Sequence, residues 1–141
     1  MFDEKNLLYL LTILECIEKI SFYAKNIQSP QELLDANDQM NFNASNNLLI
    51  AIGEESKKID SNLKSKFPEF PWSEVAGLRD KLAHDYRGVD PEIIFTVIKD
   101  YLDKLKEVII SMISLINPNR EVLNELLDNE YYKHIRYLIH K

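Results

Sequence analysis

Apolar positions along the chain fall at helical spacing. Between 92 and 117, Ile94, Tyr101, Val108 and Leu115 recur every seven residues, and Ile98, Leu105 and Met112 fill the intervening position. Leu102, Ile109 and Ile116 broaden this seam, which predicts a long amphipathic helix. The first stretch carries Leu7, Leu11, Leu14, Ile17 and Ala24 on one side, and the segment 42–65 carries Leu49, Ile52, Ile59 and Leu63. The tail places Leu123, Leu127, Tyr131, Ile135 and Leu138 at the same spacing. Sustained period-two alternation is missing, so no strands are expected. Glycine and proline leave 1–29, 31–52, 92–117 and 119–141 unbroken. Ser29-Pro30 followed by Glu32 reads as an N-cap, a first-turn proline and a capping-box acid. Asp90-Pro91-Glu92 and Asn117-Pro118 repeat the cap-plus-proline pattern. The expected fold is all-α: a bundle of four main helices with a shorter one near 71–87. A single domain over 1–141 is expected, with 119–141 as a C-terminal helical extension.

Composition narrows the function classes. The chain has 141 residues, 17 Lys or Arg against 23 Asp or Glu, and a net charge of −6. That balance argues against a general nucleic-acid coat protein, which is normally basic. The single cysteine, Cys16, excludes an internal disulfide and a Cys-rich zinc site, fits a reducing cytoplasmic compartment, and reads as a small core residue. No apolar run reaches the ~18 residues of a membrane span. The acidic start, Met1 to Lys5, leads into no signal-peptide pattern. Charge is not uniform, however. Residues 56–87 hold seven Lys or Arg against five Asp or Glu, the only net-positive section. A few local cations suffice to hold a phosphate.

That section carries the candidate chemistry. From Trp72 to Tyr86, Val75, Leu78 and Leu82 form the apolar stripe of a short helix. Asp80 and His84 are four apart and share a face; Arg79 and Tyr86 are seven apart and share another. Arg79 and His84 are five apart, roughly 140° around the axis. Either the helix unwinds near His84, or two copies of the segment meet across a dimer. Arg79 offers a planar donor fork for phosphate. A histidine side chain can give or take a proton, so His84 is the candidate general acid or base around a ribose 2′-hydroxyl or the leaving oxygen. Asp80 would orient the imidazole, and Arg79 would stabilise a crowded phosphoryl transition state. Such a set cleaves RNA without metal, and no cofactor is expected. Lys81 and Arg87 are candidate RNA contacts beside it.

Gly53-Glu54-Glu55, Phe70-Pro71-Trp72, Gly77-Leu78-Arg79-Asp80 and His84-Asp85-Tyr86, followed by Val89-Asp90, come in a characteristic order. The pattern resembles the HEPN superfamily, specifically the HepT-like toxins of HepT/MntA toxin–antitoxin systems. Its specific part is Arg-x4-His-x-Tyr, matched by Arg79, His84 and Tyr86, and the likeness runs from about residue 5 to about 115. The resemblance implies a helical homodimer that joins two motifs in a cleft, a metal-independent endoribonuclease activity, and an MntA-like nucleotidyltransferase antitoxin. It also implies that the antitoxin transfers AMP to the motif tyrosine, Tyr86. The added charge and bulk would block an RNA phosphate. The rival reading is a non-catalytic HEPN module that binds RNA or a nucleotide beside a nucleotidyltransferase.

Other residues carry plainer expectations. Trp72 reads as a packing anchor, Gly53 as a site of close helix contact, and Glu54 as a neighbour of the motif helix. His134 and His140 are six apart, a poor spacing for a metal pair. Tyr131, Tyr132 and Tyr137 interleave with Lys133 and Arg136, which suits either RNA contact or a half-buried amphipathic helix.

Overall fold

The computed structural model describes residues 4–139, which leaves His140 outside the described part. These residues form α1 (Lys5–Tyr23), α2 (Pro30–Asp35), α3 (Met40–Lys58), α4 (Ser61–Lys64), α5 (Trp72–His84), α6 (Pro91–Thr96), α7 (Leu102–Ile116) and α8 (Arg120–Leu127). No strand occurs among them, and the all-α expectation holds. Among the described residues, no helix is long and apolar enough to cross a membrane.

α1 is the central element. Leu10, Leu11, Ile13, Leu14, Ile17 and Ile20 are fully buried, on more than one side of the helix. It packs against α3, α7 and the C-terminal segment, while α3 packs in turn against α5 and α2 against α6. One hydrophobic cluster runs from Leu7 to Ile135. Cys16 lies in it; burial, with Glu15 adding to it, pushes the thiol up to about 12, so it stays an inert core group.

Helix ends follow the caps in part. Ser29 Oγ accepts from Glu32 N–H at 3.1 Å, and Asp90 Oδ1 accepts from Glu92 N–H at 2.9 Å. The stretch 31–52 is nevertheless interrupted. Asn37, Asp38 and Gln39 all take left-handed backbone, with φ of 52°, 57° and 71°, and separate α2 from α3. Short polar side chains let Asn and Asp enter this region without glycine. Asn117-Pro118 also departs from expectation. Asn117 closes α7 in left-handed geometry, φ 51°, and the cap of α8 is Asn119, whose Oδ1 accepts from Glu121 N–H at 2.8 Å. Proline there follows a finished helix instead of opening the next.

Two seams shift from their expected positions. α6 and α7 are joined by a π-helical turn, Val97–Tyr101. The buried line becomes Ile94, Ile98, Leu102, Leu105, Ile109 and Met112, while Tyr101 and Leu115 are 42% and 44% exposed. A wide turn rotates the face, and a straight helix drifts from a heptad repeat anyway. In the tail, α8 stops at Leu127 and a 3₁₀ run covers Glu130–Ile139. With three residues per turn, Tyr132, Ile135 and Leu138 face inward, and Tyr131 is left 70% exposed.

Candidate active site

α5 is anchored at its start by the indole of Trp72. Its Nε1 donates to Phe67 O at 3.3 Å, and its ring meets Phe70 edge-on at 4.7 Å. Of the expected stripe, Leu82 is buried, whereas Val75 and Leu78 are half-buried. α5 therefore lies on the bundle surface, with much of its circumference open.

The helix runs antiparallel along α3, fixed at two levels. At the first, Gly53 is buried, and a Cβ there would fall on the Cβ of Arg79 and 2.7 Å from its Cγ. Glycine thus lets the arginine stem lie directly on α3. Arg79 Nε pairs in charge with Glu54 Oε1 without an aligned hydrogen bond. Arg79 Nη1 and Lys57 Nζ both donate to Asp80 Oδ1 at 3.0 Å. Lys57, then Arg79, hold the Asp80 carboxyl below its ordinary range. Asp80 is consequently turned toward these cations, and the expected bond to His84 is not formed. Lys57, brought in by α3, and the adjacent Arg79 take the carboxylate instead.

At the second level the helix ends. Asp85, at φ −140° and ψ 59°, leaves the helical path, and its N–H closes on Lys81 O at 2.8 Å. Tyr86–Gly88 continue as a 3₁₀ turn. Tyr86 donates its hydroxyl hydrogen bond to Asn43 Oδ1. Arg79 and Tyr86 thus both turn toward α3, but at opposite ends of the contact. His84 is exposed as the last helical residue and forms no hydrogen bond or ion pair among the described residues. Because the helix persists up to His84, the roughly 140° between it and Arg79 is retained within one chain. Lys81 and Arg87 are exposed and likewise free of ion pairs. Arg87 and Tyr86 border an open cavity of about 540 Å³ with Phe42, Asn43 and Val89. Among the described residues, no three His, Cys, Asp or Glu side chains converge as a ligand set.

Asn43 escaped the sequence reading, Lys57 entered it only as one of the seven cations of 56–87, and Glu54 only as a neighbour. The three are eleven and three residues apart, one face of a helix, which is the signal that marks them in retrospect.

Comparison with known proteins points the same way as the motif. The family model described as ribonuclease HepT-like matches residues 13–112. A protein of Thermococcus cleftensis named a probable ribonuclease HepT is 39% identical over 98 residues, 70% of this chain and 86% of that one. A protein of Methanocaldococcus jannaschii that carries RNase in its name is 32% identical over 99 residues, 70% of this chain and 88% of that one. No solved structure matches significantly.

Proposed function

We propose, since this chain belongs to the HepT-like ribonuclease family of the HEPN superfamily, that it is a metal-independent endoribonuclease and the toxin half of a cytoplasmic toxin–antitoxin pair. The observation that carries this reading is the exposed, unpartnered His84 at the end of α5, with Arg79 anchored on Gly53 little more than a turn earlier.

In the proposed reaction, a His84 imidazole takes the proton of a ribose 2′-hydroxyl. The 2′-oxygen attacks the adjacent phosphorus, the bond from phosphorus to the 5′-oxygen breaks, and that oxygen takes up a proton. The products are a 2′,3′-cyclic phosphate and a 5′-hydroxyl. Arg79 stabilises the charge that builds on the phosphoryl oxygens. Asp80, with Glu54, holds the guanidinium in place, a supporting role exerted through Arg79 instead of the imidazole. The angular separation of Arg79 and His84 supports a homodimer in which two copies of α5 border one cleft. Lys81 and Arg87 meet flanking phosphates. An MntA-like nucleotidyltransferase antitoxin silences the site by joining AMP to the Tyr86 oxygen, with pyrophosphate leaving from ATP.

The test uses purified chain in EDTA. RNA should yield fragments ending in cyclic phosphate, and the same RNA fully 2′-O-methylated should stay intact. With ATP and the antitoxin, wild type should gain AMP-sized mass and Tyr86→Phe should not. RNA that binds yet is never shortened would favour the binding-module reading instead.

A further inference from the structure

The tail divides its aromatic and basic residues into two groups. Tyr132 shares a hydrogen bond with Thr12 Oγ1 at 3.2 Å. Arg136 donates to Leu127 O at 2.9 Å and to Asp128 O at 3.2 Å, closing the end of α8. Tyr137 lies half-buried under Lys106 Nζ, 5.4 Å from its ring centre, and burial, then Glu18, raise its hydroxyl above the usual range. These side chains hold the tail to α1 and α7. The side chains of Tyr131, Lys133 and His134 form no hydrogen bond or ion pair among the described residues.

The second group meets an equally unexplained ring on α1. Phe22 is 64% exposed, and its ring stacks on His134 with centres 6.2 Å apart and planes at 30°. Lys19 Nζ stands 5.6 Å from the centre of the Tyr131 ring. Together with Tyr23, Lys133 and Glu130 they border an open cavity of about 610 Å³. Exposed aromatic rings that gain nothing from the core mark a contact surface.

We propose that Phe22, Tyr131 and His134 form a stacking platform for single-stranded RNA, extending the strand path beyond the motif. Aromatic faces accept any base, which suits a site without sequence preference. Lys133 supplies a cation with no ion pair among the described residues, offset by Glu130 on the same rim, while Lys19 is already paired with Glu15. Stacking therefore contributes more than charge, and the platform adds little salt dependence: about one phosphate's worth, a slope near −0.7. It lies across the first turn of α3 from the motif tyrosine, since Asn41 and Asn43 are about 200° apart around the helix. Tyr23 O accepts from Asn41 Nδ2 at 2.7 Å, and Asn43, two residues on, receives the Tyr86 hydroxyl. Platform and motif tyrosine thus flank the first turn of α3. Tyr131 and His134 lie outside residues 13–112, so the family match does not cover this feature. The inference rests on the ribonuclease reading.

Fluorescence anisotropy of the full chain with a labelled, fully 2′-O-methylated 12-nucleotide RNA separates binding from cleavage. Phe22→Ala and Tyr131→Ala should each weaken binding about tenfold. Tyr131→Phe, which keeps the ring, should bind as wild type, with circular dichroism unchanged in all three. If wild type cleaves RNA and both alanine variants bind as tightly as wild type, the platform is wrong and the ribonuclease reading stands. That outcome includes the case in which this face serves a protein partner. If wild type neither binds nor cleaves RNA, both fall together.

Discussion

At Gly53, the backbone of α3 meets the stem of Arg79 with no room for a methyl group. Replacing it with alanine forces α5 outward or bends the arginine away from Glu54. Gly53→Ala is expected to lower stability by about 1–3 kcal/mol, as overpacking does, and to slow RNA cleavage at least tenfold. Urea unfolding and a cleavage time course check this, and wild-type values in both would count against the packing role. The sequence exposes Arg79, His84 and Tyr86 because their spacing is local. Asn43 is hidden because it stands 43 residues from the hydroxyl it receives, and no local pattern joins the two. Asp80 shows the limit of helical arithmetic in another way. Sharing a face with His84 makes a bond possible, but Lys57, brought in by α3, takes the carboxylate instead.

Among elements, the tail is the clearest departure from the heptad reading. A continuous helix would bury Tyr131; the change to a 3₁₀ run after Asn129 turns Tyr132 and Ile135 inward. The N–H of Tyr131 donates to Asn129 Oδ1 at 2.9 Å, a local cap that periodicity alone does not reveal. The same holds for the left-handed residues 37–39 and the π-turn at 97–101: each is a backbone event without glycine or proline to announce it. We propose that 119–139 is part of one domain with the rest, not an appendage. Ile135 has 0% exposure within the common cluster. Ile135→Ala should cost about 2–5 kcal/mol in denaturant unfolding, with a single transition. A loss under 0.5 kcal/mol, or a second transition for the tail, would mark it as separable.

Across the whole molecule, the charge pattern is sharper in three dimensions than along the chain. Of the seven cations in 56–87, Lys57 and Arg79 are engaged by Asp80, with Glu54 also on Arg79. Lys58 pairs with Glu55, and Lys64 donates to Ser56 O at 3.1 Å. Among the described residues, Lys66, Lys81 and Arg87 remain without a partner, so the open positive surface of this section is small and two of its three members flank the motif. On the proposed reading, the acidic remainder of the chain repels bulk RNA while this patch meets the strand. In the proposed homodimer the patch is doubled, and each His84 is expected to face the Arg79 of the other copy. All of this converges on one imidazole. The rate of RNA cleavage in EDTA should fall at least 100-fold in His84→Ala, the size of a general acid–base contribution, with circular dichroism unchanged. Cleavage by His84→Ala at the wild-type rate would contradict the assignment.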